Sequence, residues 1–228
     1  MVQSAVLYSH IFFGAIAVIA GYIALFTSKG KARHIQSGNW FVITMVLMAI
    51  PGIVIAYMMP MIITAIAGFF TIYLVLSGVG VFKFAHARRG CLNLALCIGA
   101  FVIGLYSLLC GYWATQSQSG FYQGVTLEPY IMFGVLPIIS ALLDIRYMLV
   151  QTLTSTVRLT RHVWRMCFAL FIAVGSFVGQ GLKSAPDAIG SFVLVEYADV
   201  IILLTMLYWL VRVNGIVSKV KNRVVSNT

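Results

Sequence analysis

Residues 158–180 read RLTRHVWRMCFALFIAVGSFVGQ, a basic opening followed by an apolar run. A helix over this stretch would carry small and polar side chains on one face, namely His162, Met166, Ala169, Ala173, Ser176 and Gln180. Small residues are enriched where transmembrane helices meet, so this face is expected to pack against protein. The arginines mark the end of the helix that meets water. The stretch therefore predicts a membrane-spanning helix with a histidine at the mouth of its packed face.

The composition extends this prediction to the whole chain. The sequence has 228 residues, of which 61% are hydrophobic and 9% charged, and its mean hydropathy is +1.01. A soluble domain of this length cannot hide so much apolar surface, so we expect an integral membrane protein. The net charge of +10 does not indicate nucleic-acid binding, because membrane topology explains the basic residues. The four cysteines lack metal-binding spacing.

Seven apolar segments are long enough to cross a membrane as helices, which takes about 20 residues each. They cover residues 6–27, 38–58, 61–82, 91–112, 130–150, 163–182 and 193–213. The basic side chains fall in alternate connections and in the C-terminal tail. Positive charge accumulates on the cytoplasmic side of such proteins. We therefore predict a single all-α domain over residues 1–228, in a bacterial inner membrane, with its N-terminus outside and its C-terminus in the cytoplasm.

A weak internal repeat relates the first three segments to the last three. HIFFGAIAVIAG from His10 aligns with YIMFGVLPIISA from Tyr130, and RHIQSGNWF from Arg33 aligns with RHVWRMCFA from Arg161. The fourth segment is then a connector between two parallel three-helix repeats, a 3+1+3 layout. Sites in membrane proteins built from such repeats usually lie between them.

The repeat makes His34 and His162 equivalent, since each follows an arginine and opens a helix. Two histidines on facing helices can ligate a haem iron or another metal. Our first hypothesis is therefore a cofactor-binding redox membrane protein whose site lies near the cytoplasmic face. The residues predicted to hold the cofactor are His34, His162, Arg33, Arg161, Arg165, Met166 and Asp144. The arginines would pair with propionates.

Three other interpretations of these residues stay open. A zinc ion held by His34, His86, His162 and Asp144 would activate water in a metal-dependent membrane hydrolase. A small-solute transporter would place its site between the repeats, and an ionisable residue within a span, such as Asp144, is a candidate for such a site. In the third interpretation the cluster is structural, with Asp144 paired to arginines and the histidines bonded to carbonyls.

A separate polar group is expected on the outer side, formed by His10, Gln180, Glu128 and Glu196. A retinal protein is not expected, because the seventh segment has no lysine for a Schiff base. The expected partner is the lipid bilayer, with anionic lipid attracted to the basic face. The sequence predicts neither the substrate nor the oligomeric state.

Several short motifs are spread over most of the chain. They are His10-x-x-x-Gly14, Lys29-Gly30-x-x-x-His34-x-x-x-Gly38 with Met45 after it, Asp144-x-Arg146, Arg161-His162-x-x-Arg165-Met166 continuing to Gln180, and Tyr208-Trp209-Leu210 before Arg212. Together they resemble a family of uncharacterised bacterial membrane proteins, a predicted membrane-protein domain of unknown function. Residues 161–180 are the most specific part. The resemblance implies a polytopic inner-membrane protein and no particular activity, and His86 is not part of its pattern.

Overall fold

The computed structural model describes residues 2–83, 90–150, 154–181 and 197–226, with only the backbone described at residues 2, 180, 181 and 216–226. Within these ranges seven helices are long and apolar enough to cross a membrane. They are α1 (Val2–Phe26), α2 (Ala32–Met58), α3 (Ile62–Lys83), α4 (Cys91–Gln116), α5 (Leu127–Leu149), α6 (Ser155–Ser176) and α7 (Ala198–Ser226). A π-helical turn, Phe177–Gly181, continues α6. The predicted all-α, multi-pass architecture is confirmed.

Two helices begin well before their apolar segments, by about two turns each. α2 begins at Ala32 rather than near residue 38, and α6 begins at Ser155 rather than near residue 163. The extra residues at the start of each helix are polar, so the hydropathy of the sequence marks only the apolar part of the helix. Thr154 caps α6, because its hydroxyl oxygen accepts a hydrogen bond from the backbone N–H of Val157 at 3.4 Å. His34 and His162 therefore lie within helices instead of opening them.

α3 lies at the centre of the bundle, where it contacts α2, α4, α5 and α6. Its buried side chains include Phe70, Leu74 and Val75. Around it, α1 packs along α2, α4 packs along α5, and α7 packs along α6. Basic side chains gather at the end of the bundle where α1 and α3 finish and α2 begins, among them Lys29, Lys31, Arg33 and Lys83. We call this end of the bundle the basic end.

Glycines allow the paired helices to approach closely. A Cβ atom added to Gly52 in α2 would lie 2.9 Å from the ring of His10 in α1. A Cβ atom added to Gly104 in α4 would lie 2.7 Å from the carbonyl oxygen of Gly134 in α5. Real Cβ atoms do not come so near to another heavy atom, so a side chain at either position would push the two helices apart.

The helix packing gives no support to the predicted three-helix repeat. The repeat makes α5 the counterpart of α1, so α5 should pack along α6 as α1 packs along α2. Among the described residues, α5 packs mainly on α4 instead. Short apolar stretches with glycine and small residues resemble one another whatever their packing, and this similarity produced the alignment.

The α4–α5 hairpin is joined to the other helices chiefly through α3. Its connecting turn reaches the start of α3, where the side-chain oxygen of Gln123 accepts a hydrogen bond from the backbone N–H of Ile62 at 2.9 Å. Gln123 has a φ of 48°, in the left-handed region that few residues other than glycine adopt. The turn is thus shaped to hold the far end of the hairpin against α3.

Candidate functional site

Asp144 is buried in α5, with 2% of its side chain exposed, and three side chains donate to its carboxylate. Arg161 and Arg165 of α6 both form ion pairs with its Oδ1 atom. The hydroxyl of Tyr73 in α3 donates a hydrogen bond to Oδ2 at 2.7 Å. The two arginines are four residues apart, so one face of α6 presents both. We call Asp144, Arg161, Arg165 and Tyr73 the Asp144 cluster.

Aromatic rings lie against both guanidinium groups of the Asp144 cluster. The guanidinium carbon of Arg161 lies 4.1 Å from the ring centroid of Tyr147. That of Arg165 lies 5.1 Å from the rings of Tyr73 and Trp164. Cation–π contacts of this kind stabilise a cation that has lost its water. The rings therefore take the place of water around both guanidinium groups.

The Asp144 cluster carries more positive than negative charge, because two guanidinium groups share one carboxylate. Arg165 is fully buried, and its Nε and Nη1 atoms have no hydrogen-bond partner among the described residues. Arg165 does donate through Nη2 to the Ser140 carbonyl oxygen at 3.4 Å as well as to Asp144. Buried charges and donors are costly unless they are paired. The cluster therefore has both the charge and the donors to bind an anion.

His34 of α2 and His162 of α6 lie side by side, with ring centroids 6.4 Å apart and ring planes at 75°. The Nδ1 atom of His34 is 3.0 Å from the carbonyl oxygen of Ala24, and that of His162 is 3.0 Å from the carbonyl oxygen of Gly78. A carbonyl only accepts, so both Nδ1 atoms carry hydrogen. In the neutral rings Nε2 is then the atom left to accept a proton or ligate a metal.

The histidine pair and the Asp144 cluster adjoin each other through two successive carbonyls of α3. The Ser77 carbonyl oxygen accepts from Nε of Arg161 at 3.4 Å, and the Gly78 carbonyl oxygen serves His162. A Cβ atom added to Gly78 would lie 3.1 Å from the Cβ atom of Arg165, so glycine lets α6 approach α3 here. One polar region thus extends from the half-buried histidines to the buried Asp144 carboxylate.

Lys29 closes the basic end beside this region. Its ammonium group donates to the carbonyl oxygens of Ala24 at 3.2 Å and Thr27 at 3.1 Å, and also to that of Leu25. These are carbonyls at and just beyond the end of α1, which a cation stabilises. Partial burial lowers the pKa of Lys29 from its ordinary value. The carbonyl oxygen of Ala24 thus accepts hydrogen bonds from both Lys29 and His34.

Of the remaining predicted site residues, Met166 borders this region, and the others lie apart from it or outside the described residues. Arg33 is exposed, and Met166 packs beside Gly78. His10 bonds to the Met48 carbonyl oxygen of α2 through Nδ1 at 2.8 Å. Glu128 is exposed in the first turn of α5. The side chains that lie outside the described residues are His86, Gln180 and Glu196.

Two predictions about metals and the outer side can be compared with this arrangement. Among the described residues, no group of three or more His, Cys, Asp and Glu side chains is placed to hold a metal ion. Of the predicted outer polar group, His10 is bonded to the backbone of α2 and Glu128 is exposed in the first turn of α5, while the side chains of Gln180 and Glu196 lie outside the described residues.

Sequence reasoning missed Tyr73, Ser77 and Tyr147 as parts of the site. Tyr73 and Ser77 are four residues apart on α3 and so share one face, which is the signal that was available. A polar face on an otherwise apolar span indicates contact with polar groups of another helix. Tyr147 is three residues after Asp144, which likewise puts the two on one side of α5.

Comparisons of the chain with protein-family models, with curated proteins and with solved structures found no match.

Proposed function

We propose that the protein is a membrane transporter for a small anionic solute, which binds at the Asp144 cluster. The observation that carries this proposal is the buried Arg165, whose Nε and Nη1 donors have no partner among the described residues, in a cluster with surplus positive charge. An ionisable group inside a membrane-spanning helix is costly, and such groups typically mark substrate or ion pathways. Surplus positive charge favours an anion over a neutral or cationic solute.

Competition between the solute and Asp144 supplies a mechanism for binding and release. Asp144 belongs to the α4–α5 hairpin, whereas both arginines belong to α6. An arriving carboxylate or oxyanion can bind a guanidinium through two parallel hydrogen bonds, whereas Asp144 meets each arginine through its Oδ1 atom alone. Movement of α5 away from α6 would expose the arginines to the solute, and its return would displace the solute.

We also propose that the basic end faces the cytoplasm of a bacterial cell and that the N-terminus lies outside. Lys29, Lys31, Arg33 and Lys83 at one end of the described helices support this orientation through the positive-inside rule. The Asp144 cluster then lies in the cytoplasmic half of the membrane.

Anion binding to purified protein tests the transport proposal. Thermal stability in mild detergent would be measured with phosphate, sulfate, acetate and succinate at constant ionic strength. At least one anion should raise the melting temperature in a saturable way, and Arg165→Gln should abolish the rise. Arg158→Gln is the control, because it removes the same charge from the same helix outside the cluster. The anion that binds should then enter proteoliposomes containing the native protein but not those containing Arg165→Gln.

Two results would contradict the proposal. One is the absence of a saturable shift with every anion in the panel. The other is an equal loss of the shift in Arg158→Gln, which would assign it to general charge. Arg165→Lys guards against a folding defect, because it keeps the charge but lacks the planar guanidinium donors, and it should fold while binding the anion more weakly.

A second candidate function is a cofactor-binding redox protein with His34 and His162 as ligands. The specific observation in its favour is that backbone carbonyls orient both rings through Nδ1, as hydrogen-bond partners commonly orient histidines that bind a metal through Nε2. A haem iron with two axial histidines would supply electron transfer. The zinc hydrolase receives less support, since its third histidine, His86, lies outside the described residues.

An absorption spectrum of the purified protein, oxidised and then reduced with dithionite, tests this second candidate together with metal analysis of the same sample. A Soret band with sharper reduced peaks, lost in both His34→Ala and His162→Ala, would establish haem. His10→Ala is the control, because His10 is bonded to α2 away from the pair. A colourless and metal-free preparation would reject both metal-based functions.

A further inference from the structure

A surface groove of about 420 Å³ runs between α1 and α2 at the basic end. Its walls are two helix faces with residues at helical spacing: Ile16, Ile19, Ala20 and Ile23 from α1, and Arg33, Gln36, Ser37 and Trp40 from α2. The α1 wall is entirely apolar. The α2 wall is polar near the start of the helix and aromatic one to two turns further on. The groove is therefore amphipathic along its length.

The polar end of this groove has donors that no other described side chain uses. Arg33 and Gln36 are exposed, and neither side chain forms a hydrogen bond or an ion pair among the described residues. Trp40 is 55% exposed beside them. Tryptophan is enriched where a membrane meets water, so this end of the groove is expected at headgroup depth.

A second groove, between α1 and α7, provides a comparison. It has a volume of about 410 Å³ and is lined by Lys29 and Trp209 among other residues. Lys29, however, already donates to three carbonyls around the end of α1. The α1–α2 groove differs because the donors of its cation, Arg33, have no partner among the described residues and are open to an external acceptor.

We propose that the α1–α2 groove binds one anionic phospholipid from the membrane leaflet at the basic end. The forked guanidinium of Arg33 matches a phosphate with two parallel hydrogen bonds, and the Gln36 amide supplies a further donor. The acyl chain lies along Ile23, Ile19 and Ile16. The groove thus matches both parts of the lipid, because a cation lies at headgroup depth and an apolar channel continues from it into the bilayer.

Quenching of Trp40 fluorescence by brominated lipid tests this site in nanodiscs. The Trp40 signal is the difference between the protein and its Trp40→Phe variant, measured in each background. Half-maximal quenching should need about fivefold less brominated phosphatidylglycerol than brominated phosphatidylcholine. Arg33→Gln should remove this preference. Lys31→Gln should keep it, because it makes the same charge change two residues away at a side chain outside the groove.

Equal quenching by the two lipids in the native protein would overturn the proposal. An equal loss of preference in Lys31→Gln and Arg33→Gln would also overturn it, because the preference would then reflect general attraction to the basic end. Arg33 and Lys31 are exposed, so both variants are expected to fold.

Discussion

At the scale of single residues, the carboxylate of Asp144 decides the stability of the site. It accepts from Tyr73 and pairs with both Arg161 and Arg165 while almost fully buried. Removing one partner of a buried ion pair typically costs about 3–5 kcal/mol, because the other charge is left uncompensated. Here the loss of one carboxylate would leave two guanidinium groups without a counter-charge.

We therefore expect Asp144→Asn to lower the free energy of unfolding by about 3–5 kcal/mol. Arg165→Gln should cost less, because it leaves Asp144 paired one-to-one with Arg161. Denaturation in detergent, followed by circular dichroism, measures both. Glu128→Gln is the matched control, since it removes an exposed acid from the same helix and should change stability little. Equal losses in Asp144→Asn and Glu128→Gln would contradict this account of the cluster.

The sequence indicates which charged residues belong to the site better than it indicates which residues they bond to. Asp144, Arg161 and Arg165 stand out because ionisable residues are rare in apolar segments. Arg146 is much nearer to Asp144 in sequence, yet residues two apart on a helix face different sides, and α6 supplies the partners instead. Tyr73 did not stand out, because a tyrosine in an apolar span fits packing as well as hydrogen bonding.

At the scale of helices, glycine positions set how closely neighbours pack. Gly104 faces the backbone of α5, whereas Gly99 on the same helix has open space around it. Both are glycines in an apolar helix, and hydropathy does not distinguish them. What separates them is the neighbouring helix, which appears only in the packed structure.

We expect Gly104→Ala to destabilise the protein by about 1–3 kcal/mol, because the new methyl group would meet the Gly134 carbonyl oxygen. Gly99→Ala should be neutral or stabilising by up to about 1 kcal/mol, since alanine is the better helix former. Melting temperatures of the two variants in the same detergent test the difference. The packing described for α4 and α5 would be wrong if Gly99→Ala were the more damaging change.

Helix-scale prediction succeeded for the number of spans and failed for their relationship. Composition and length determine whether a segment crosses a membrane, and all seven expected segments correspond to helices among the described residues. The repeat depended on the alignment of short motifs. Pairing between helices depends on which faces fit, and α5 fits α4 through Gly104 and Gly134.

At the scale of the whole molecule, the proposed orientation rests on where the basic residues lie. Cysteine labelling of intact bacterial cells tests it, with Cys91 changed to serine because it is the exposed cysteine among those described. A cysteine at Ser119, in the turn between α4 and α5, should react with a membrane-impermeant maleimide. A cysteine at Lys31, at the basic end, should react only after the cells are permeabilised. The reverse pattern would invert the proposed orientation.

The hydrogen bond from the backbone N–H of Ile62 to Gln123 holds the connecting turn of the α4–α5 hairpin at the start of α3. This hydrogen bond joins uncharged groups, so neither salt nor a bound anion weakens it. The end of α5 that carries Asp144 is held by ion pairs instead. Asp144 lies about 25 Å along α5 from the start of the helix, at a rise of about 1.5 Å per residue. A tilt of about 10° would then move Asp144 by about 4 Å, far enough to break an ion pair. In the transport mechanism proposed above, α5 would move away from α6 at the basic end while the Gln123 hydrogen bond holds the opposite end in place.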